Sequence, residues 1–306
     1  MTRLMAFSGA NLDHCDTERD PDTIKAAMRE PEARAILFSD YNPAVEPDGS
    51  LMEAHPSVLA DVAMFDPAII FLGREADTRR PWFAAHVQDA GDRFPPETFA
   101  DMRRMAGGMD ARDLAITGRA RSLLDWHGGN QFCSRCGTKS GTSRGGALRV
   151  CPNCNAEHYP RVNPVAIMLV ERDDHLLLGR QAFWPEGSFS ALAGFVSPGE
   201  DLEEACAREV KEEVGLDVTG VRYLMSQAWP FPSQLMLGLV CEAAPGELTI
   251  DTTELETAQW FSRAEVQAVW SKTGEAFRRP PAFTIAHQLI RAWLQDVKPG
   301  IGIPEM

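Results

Sequence analysis

"AREVKEEVG", residues 207–215, places three carboxylates, Glu209, Glu212 and Glu213, within five positions of one predicted helix. The run from Asp201 to Val214 is rich in helix formers; Pro198 and Gly199 precede it, and Gly215 follows as a C-terminal stop. Successive helical side chains rotate by about 100°. With Leu202 set at zero, Ala205, Cys206 and Val210 fall within about 80° of it and define an apolar face. Glu209 and Glu213 land within about 20° of Leu202, in the middle of that face, and Glu212 lies on its flank, about 80° away. Two inward carboxylates at i, i+4 repel each other. Burying an ionised carboxylate is costly unless it is paired or bound to metal. A solvated charged face is the ordinary fate of such a run. The phase points instead to a divalent-cation site of the hard, oxygen-liganded kind that Mg²⁺ prefers.

Composition sets the frame. The 306 residues suffice for about two domains and a sizeable core. The chain is 44% hydrophobic and 24% charged. No apolar run reaches the ~20 residues that span a bilayer. "MTRLMAFSGANLDHCDTERD" lacks the apolar core of an export signal, and "IGIPEM" carries no anchor. A cytoplasmic protein with no membrane partner is expected. The net charge of −14 disfavours a non-specific grip on nucleic acid, while leaving room for a local basic cleft for a phosphorylated ligand. Seven cysteines, an odd number, argue against a disulfide scaffold.

Three regions follow along the chain. Residues 1–128 read as a small N-terminal α+β domain, with apolar runs such as "AIIFLGR" (68–74) and helical patterns around Glu97–Met105 and Ala111–Trp126. His86 and His127 read as ordinary surface or capping histidines, and no internal repeat is evident. Residues 129–160 drop in apolar content as Gly, Ser and Cys rise. Residues 161–300 alternate strand and turn: "PVAIMLVERDDHLLLGR" (164–180) reads as a hairpin turning at Asp173–Asp174. Strands are expected around Val221–Met225 and Leu235–Glu242, and an amphipathic helix over about Phe283 to Val297. That order predicts the α+β / α/β class, a mixed β-sheet sandwiched by helices.

Cys133 and Cys136 form one C-x-x-C knuckle; Cys151 and Cys154 form another, fourteen residues later. Four thiolates complete a closed tetrahedral shell, so structural Zn²⁺ is expected, without an open position for catalysis. Gly137 suits the tight turn after the first knuckle. A second matched pair leaves a redox C-x-x-C unexplained. Cys15, Cys206 and Cys241 read as small hydrophobes.

The segment "GFVSPGEDLEEACAREVKEEVGL" (194–216) resembles the Nudix box at every defining position, from Gly194 and Glu200 to Arg208, Glu209, Glu212, Glu213 and Gly215. The resemblance implies a hydrolase of nucleoside diphosphates linked to another group. It makes Glu209, Glu212 and Glu213 the Mg²⁺ or Mn²⁺ ligands or base, with Glu200 supporting the loop and the metal. Arg208 would orient the carboxylates through charge-assisted hydrogen bonds. The preceding four-cysteine ribbon, "EHYPR" (157–161) and "SQAWPFPSQLM" (226–236) look like the NADH pyrophosphatase subfamily. The signature S-Q-P-W-P-F-P-x-S is altered at Ala228 and Gln234, which bears on fine specificity.

That resemblance covers about residues 111–297 and implies further roles. Phe195, with Tyr159 from the partner subunit of a homodimer, would sandwich the adenine, a contact worth ~1–3 kcal/mol. Ser226, Gln227 and Trp229 would shape the dinucleotide pocket. Glu254, in "TTELETAQWF" (252–261), matches an extra metal-binding glutamate, with Glu256 as its rival. The implied reaction is NADH or NAD⁺ plus water giving reduced or oxidised nicotinamide mononucleotide and AMP. Removal of NAD from the 5′ end of NAD-capped RNA is an implied second activity. Two other readings remain: a Nudix hydrolase of another diphosphate such as ADP-ribose, and a non-catalytic dinucleotide-binding regulator.

Overall fold

The computed structural model describes residues 5–59, 69–87 and 90–297. They form two compact units: Met5 with 163–228 and 234–297, and 6–162 together with Trp229–Ser233. No described helix is long and apolar enough to cross a membrane.

The first unit is built on a mixed sheet in the order Val218–Trp229, Gln234–Ala243, Asn163–Arg172, His175–Arg180, Thr257–Ser262, with Leu192–Phe195 also paired to Asn163–Arg172. Gln234–Ala243 runs parallel to Asn163–Arg172, whereas His175–Arg180 and Leu192–Phe195 run antiparallel to it. The central strand reads as an unbroken apolar run from Val165 to Val170 because both of its faces are covered. Ile167 and Leu169 join the core formed with Ile285, Leu289, Ile290 and Trp293 of the helix Ile285–Leu294. Ala166, Met168 and Val170 point the other way, onto Ala205, Cys206 and Val210 of the helix Leu202–Val214. Period-2 alternation thus sandwiches the sheet between two helices. The expected hairpin turn is present: Asp173 and Asp174 both have positive φ, 48° and 61°, the geometry of a two-residue turn. The strands expected around 221–225 and 235–242 extend further, to Val218–Trp229 and Gln234–Ala243.

In the second unit a five-stranded sheet runs Leu12–Asp13, Ile70–Glu75, Pro81–His86, Arg34–Ser39, Asn42–Pro43. Ile116, Ala120 and Leu124 of the helix Ala111–Gly129 pack on Ile36, Phe38, Leu72 and Trp82. Helix is not continuous over 97–105: Phe99 is extended, and the Asp101 side chain caps a new single turn, Met102–Met105. The topology also reveals a repeat that the side-chain pattern hides. Pro81–His86, the second strand of a hairpin, lies parallel to Arg34–Ser39, just as Gln234–Ala243 lies parallel to Asn163–Arg172.

His86 and His127 are not at the surface. His86 packs edge-on to Phe38 and Tyr41, and burial lowers its pKa. His127 Nε2 lies 2.9 Å from the Gly146 carbonyl and Nδ1 3.3 Å from Arg149, itself buried and donating to Ser140. The partners of His127 lie 19 and 22 residues away, so no local pattern announces them.

Within this unit the strands Gly141–Ser143, Leu148–Val150 and Glu157–His158 form the ribbon sheet. The two knuckles share one design. Gly137 N–H donates to Cys133 O and Asn155 N–H to Cys151 O, and both residues take positive φ, 75° and 56°. All four sulfurs lie within 4.8 Å of one another, with Cys136–Cys151 at 3.4 Å and Cys133–Cys154 at 3.7 Å. A tetrahedron with Zn–S bonds of about 2.3 Å requires S···S of about 3.8 Å, so the cluster fits zinc. Cys15, Cys206 and Cys241 are buried among apolar neighbours, as small hydrophobes should be. Cys136→Ser is expected to lose bound zinc and lower the melting temperature by several degrees; metal analysis finding none in the wild type would contradict this.

Candidate active site

Helix Leu202–Val214 is set by its ends. Asp201 accepts from the Glu204 N–H while the Glu204 side chain accepts from the Asp201 N–H, a reciprocal cap. Gly215, with φ of 77°, closes the helix in the left-handed region. Between these ends the inward stripe is as the phase requires. Ala205, Cys206, Val210 and Val214 are buried, and Glu209 and Glu213 are only 8% and 4% exposed. The Glu212 side chain, on the flank, is 57% exposed.

Gly194 is required by this arrangement, since a Cβ there would fall on the Glu209 carboxylate. Arg208 organises the rest. Its Nη1 donates to Glu209 Oε1 and Glu212 Oε2, both at 2.8 Å, and its Nε and Nη2 grip Glu200 at 2.5 and 2.9 Å. Nη2 also reaches the Phe195 carbonyl, tying the helix to the strand Leu192–Phe195. Glu200 additionally accepts from the Ser197 N–H. The arginine, then that N–H, lower its pKa to about 2.

Glu213 receives none of this help. Its Oε2 is buried with no hydrogen-bond partner among the described residues. Burial, followed by the charges of Glu209 and Glu254, raises its pKa to about 8. Burial also raises that of Glu209, against the pull of Arg208. A buried oxygen without a donor, facing other carboxylates, calls for a cation. The donor set is all oxygen, which suits a hard divalent ion. Among the described residues the four cysteines are the group of three or more side chains gathered closely enough to hold an ion as they stand; two of the carboxylates, Glu209 and Glu212, are drawn to Arg208.

The loop between strands Gln234–Ala243 and Thr257–Ser262 brings the fourth carboxylate. Thr249 N–H donates to Val214 O and Asp251 N–H to Glu213 O, each at 2.9 Å, fastening the loop to the end of the helix. Glu213, Glu254 and Glu256 then line one open cleft of about 640 Å³, with Ala193, Phe183 and Gln181. Glu256 is engaged by Arg180 in an ion pair, whereas Glu254 adds its negative field to Glu209 and Glu213.

The expected pocket residues are distributed unevenly. Phe195 is 54% exposed at the end of its strand, and Tyr159, in the other unit, is 53% exposed. Gln227 is fully buried: its amide donates to Phe283 O and accepts from Ile285 N–H, both at 2.7 Å, locking the start of the last helix. Ser226 belongs to the same unit as the box helix. Trp229 belongs to the second unit, where it meets Phe7 and Phe231 edge-on at 5.9 and 5.1 Å. The cleft residues Gln181, Phe183 and Ala193 escaped the sequence reading. The exposed aromatic in "RQAFWPEG" was the available signal for Phe183.

Three family profiles match: the NUDIX domain over 160–282, the NADH pyrophosphatase zinc ribbon domain over 130–159, and the NADH pyrophosphatase-like rudimentary NUDIX domain over 32–126. The last agrees with the repeated topology. Human mitochondrial NAD(P)H pyrophosphatase NUDT13 is 42% identical over 210 residues, 65% of this chain and 60% of its own length. The chain thus spans about three fifths of that relative. Human NAD-capped RNA hydrolase NUDT12 is 34% identical over 94% of this chain and 73% of its own. The NAD-capped RNA hydrolase NudC of Mycobacterium tuberculosis is 36% identical over 94% of each chain. The fold and site define a Nudix hydrolase. The chain belongs to that family, in its NADH pyrophosphatase branch with a zinc ribbon.

The folded state holds a proton on Glu213 that the unfolded chain releases near its ordinary 4.5. That stability is complete below about pH 4.5 and is lost as pH rises through about 8. Metal-stripped protein should therefore lose stability between pH 5 and 8.5, on the order of a few kcal/mol. Glu213→Gln should flatten that fall and melt above the wild type at pH 8.5. Equal slopes for the two proteins would contradict the assignment.

Proposed function

We propose that this chain hydrolyses the diphosphate bond of NADH and NAD⁺ to nicotinamide mononucleotide and AMP, and removes NAD from the 5′ end of capped RNA. The observation that carries this reading is the partnerless buried oxygen of Glu213 beside Glu209 and Glu254. The names of NUDT13, NUDT12 and NudC support the choice of substrate.

In this reading Glu209, Glu212, Glu213 and Glu254 hold Mg²⁺ or Mn²⁺, with Glu200 behind them. The bound ion would neutralise the diphosphate and lower the pKa of a water. Glu213 serves as ligand or takes the proton of the attacking water; its buried oxygen is without a hydrogen-bond partner among the described residues, so it is available for either role. Arg208 keeps Glu209, Glu212 and Glu200 in place through four hydrogen bonds. Phe195 and the partner subunit's Tyr159 take the adenine, while Ser226, Gln227 and Trp229 shape the dinucleotide pocket, Gln227 by holding the start of the last helix. The proposal includes a homodimer acting in the cytoplasm, with domains at 1–128, 129–160 and 161–300.

A hydrolase of ADP-ribose would turn that substrate over as well as NADH, and a regulator would turn over nothing. A panel of NADH, NAD⁺, ADP-ribose and NAD-capped RNA with Mg²⁺ or Mn²⁺, products resolved by mass, separates the three. Glu213→Gln should lower turnover at least a thousandfold with its folding intact. Near-normal turnover in the folded variant would overturn the role given to Glu213.

A further inference from the structure

Phe183 is 81% exposed, the highest value among the large hydrophobic residues described. A lone exposed ring is commonplace, but this one is held in place at a particular spot. Arg180, at the end of strand His175–Arg180, donates to the Trp184 carbonyl at 3.0 Å and the Pro185 carbonyl at 2.6 Å. The same guanidinium is paired with Glu256 across the cleft wall, and the Glu256 N–H donates to the Arg180 carbonyl. Trp184 backs the ring edge-on, with centroids 6.3 Å apart. The turn that carries Phe183 is thereby fastened to the end of its strand, and the ring lines the cleft that contains Glu213 and Glu254.

A second exposed aromatic, Phe195, lies on the strand whose Ala193 lines this cleft. Ala193 lines it, and Ala193 and Phe195 lie on the same exposed face of strand Leu192–Phe195, two residues and about 7 Å apart. Phe183 in the cleft with Glu213 and Glu254, and Phe195 on the adjoining strand, thus provide two aromatic surfaces and a carboxylate centre. A dinucleotide offers matching parts: two rings joined by a diphosphate. With the adenine on Phe195, its other ring is left for Phe183. The nicotinamide ring of NAD⁺ is electron-poor and cationic, which suits both the face of a phenyl ring and the neighbouring carboxylate of Glu254.

We infer that Phe183 is a specificity-determining residue whose ring stacks on the nicotinamide half of the substrate, opposite the adenine platform at Phe195. The inference rests on the dinucleotide reading given above, and the two fail differently. If the wild type leaves NAD⁺ intact, that reading fails. If the wild type is active, Phe183→Ala tests the inference by itself. The variant should raise KM for NAD⁺ about tenfold with kcat within threefold, the loss of one stacked ring. It should weaken product inhibition by nicotinamide mononucleotide about tenfold and that by AMP less than twofold. Phe183→Tyr should restore both values to within threefold of the wild type. An unchanged KM for NAD⁺ in Phe183→Ala, or inhibition by AMP weakened as much as that by nicotinamide mononucleotide, would overturn the inference.

Discussion

A carboxylate oxygen sealed from water with nothing to donate to it is the constraint around which this domain is organised. Glu213 Oε2 is in that position, one helical turn from the buried carboxylate of Glu209. No packing argument favours such a pair: it adds desolvation to like-charge repulsion. Its persistence is intelligible if the folded state is built to receive positive charge from outside the chain.

Much of the surrounding structure serves that end. Gly194 clears the space that the Glu209 carboxylate occupies. Arg208 satisfies Glu209, Glu212 and Glu200 but does not reach Glu213. The 249–255 loop, fastened to the last two residues of the helix, brings Glu254 into the same field. The zinc ribbon belongs to the other compact unit and has a closed shell of four thiols, so its ion stabilises a small sheet rather than taking part in chemistry.

The legible parts of the sequence were those governed by short-range periodicity. The rotation of 100° per residue placed Glu209 and Glu213 inward before any coordinates, and the paired knuckles declared their shared ion through spacing alone. The Asp173–Asp174 turn was likewise a local signal. What escaped depends on partners distant along the chain. His127 and Arg149 meet inside a core, and no pattern near either residue foretells it. Gln227, read as a pocket residue, is buried at the start of a helix nearly sixty residues later. Trp229 leaves its own strand's unit for the other, where Phe7 and Phe231 receive it. The repeat of topology between the units survives in strand directions but not in side chains.

The most direct test of the central claim is a crystal structure grown with Mn²⁺, using anomalous scattering to locate the ion. The account predicts a peak within about 2.5 Å of Glu213 Oε2, shared with Glu209. A map with Glu213 still buried and unpartnered, and manganese bound only elsewhere, would contradict it.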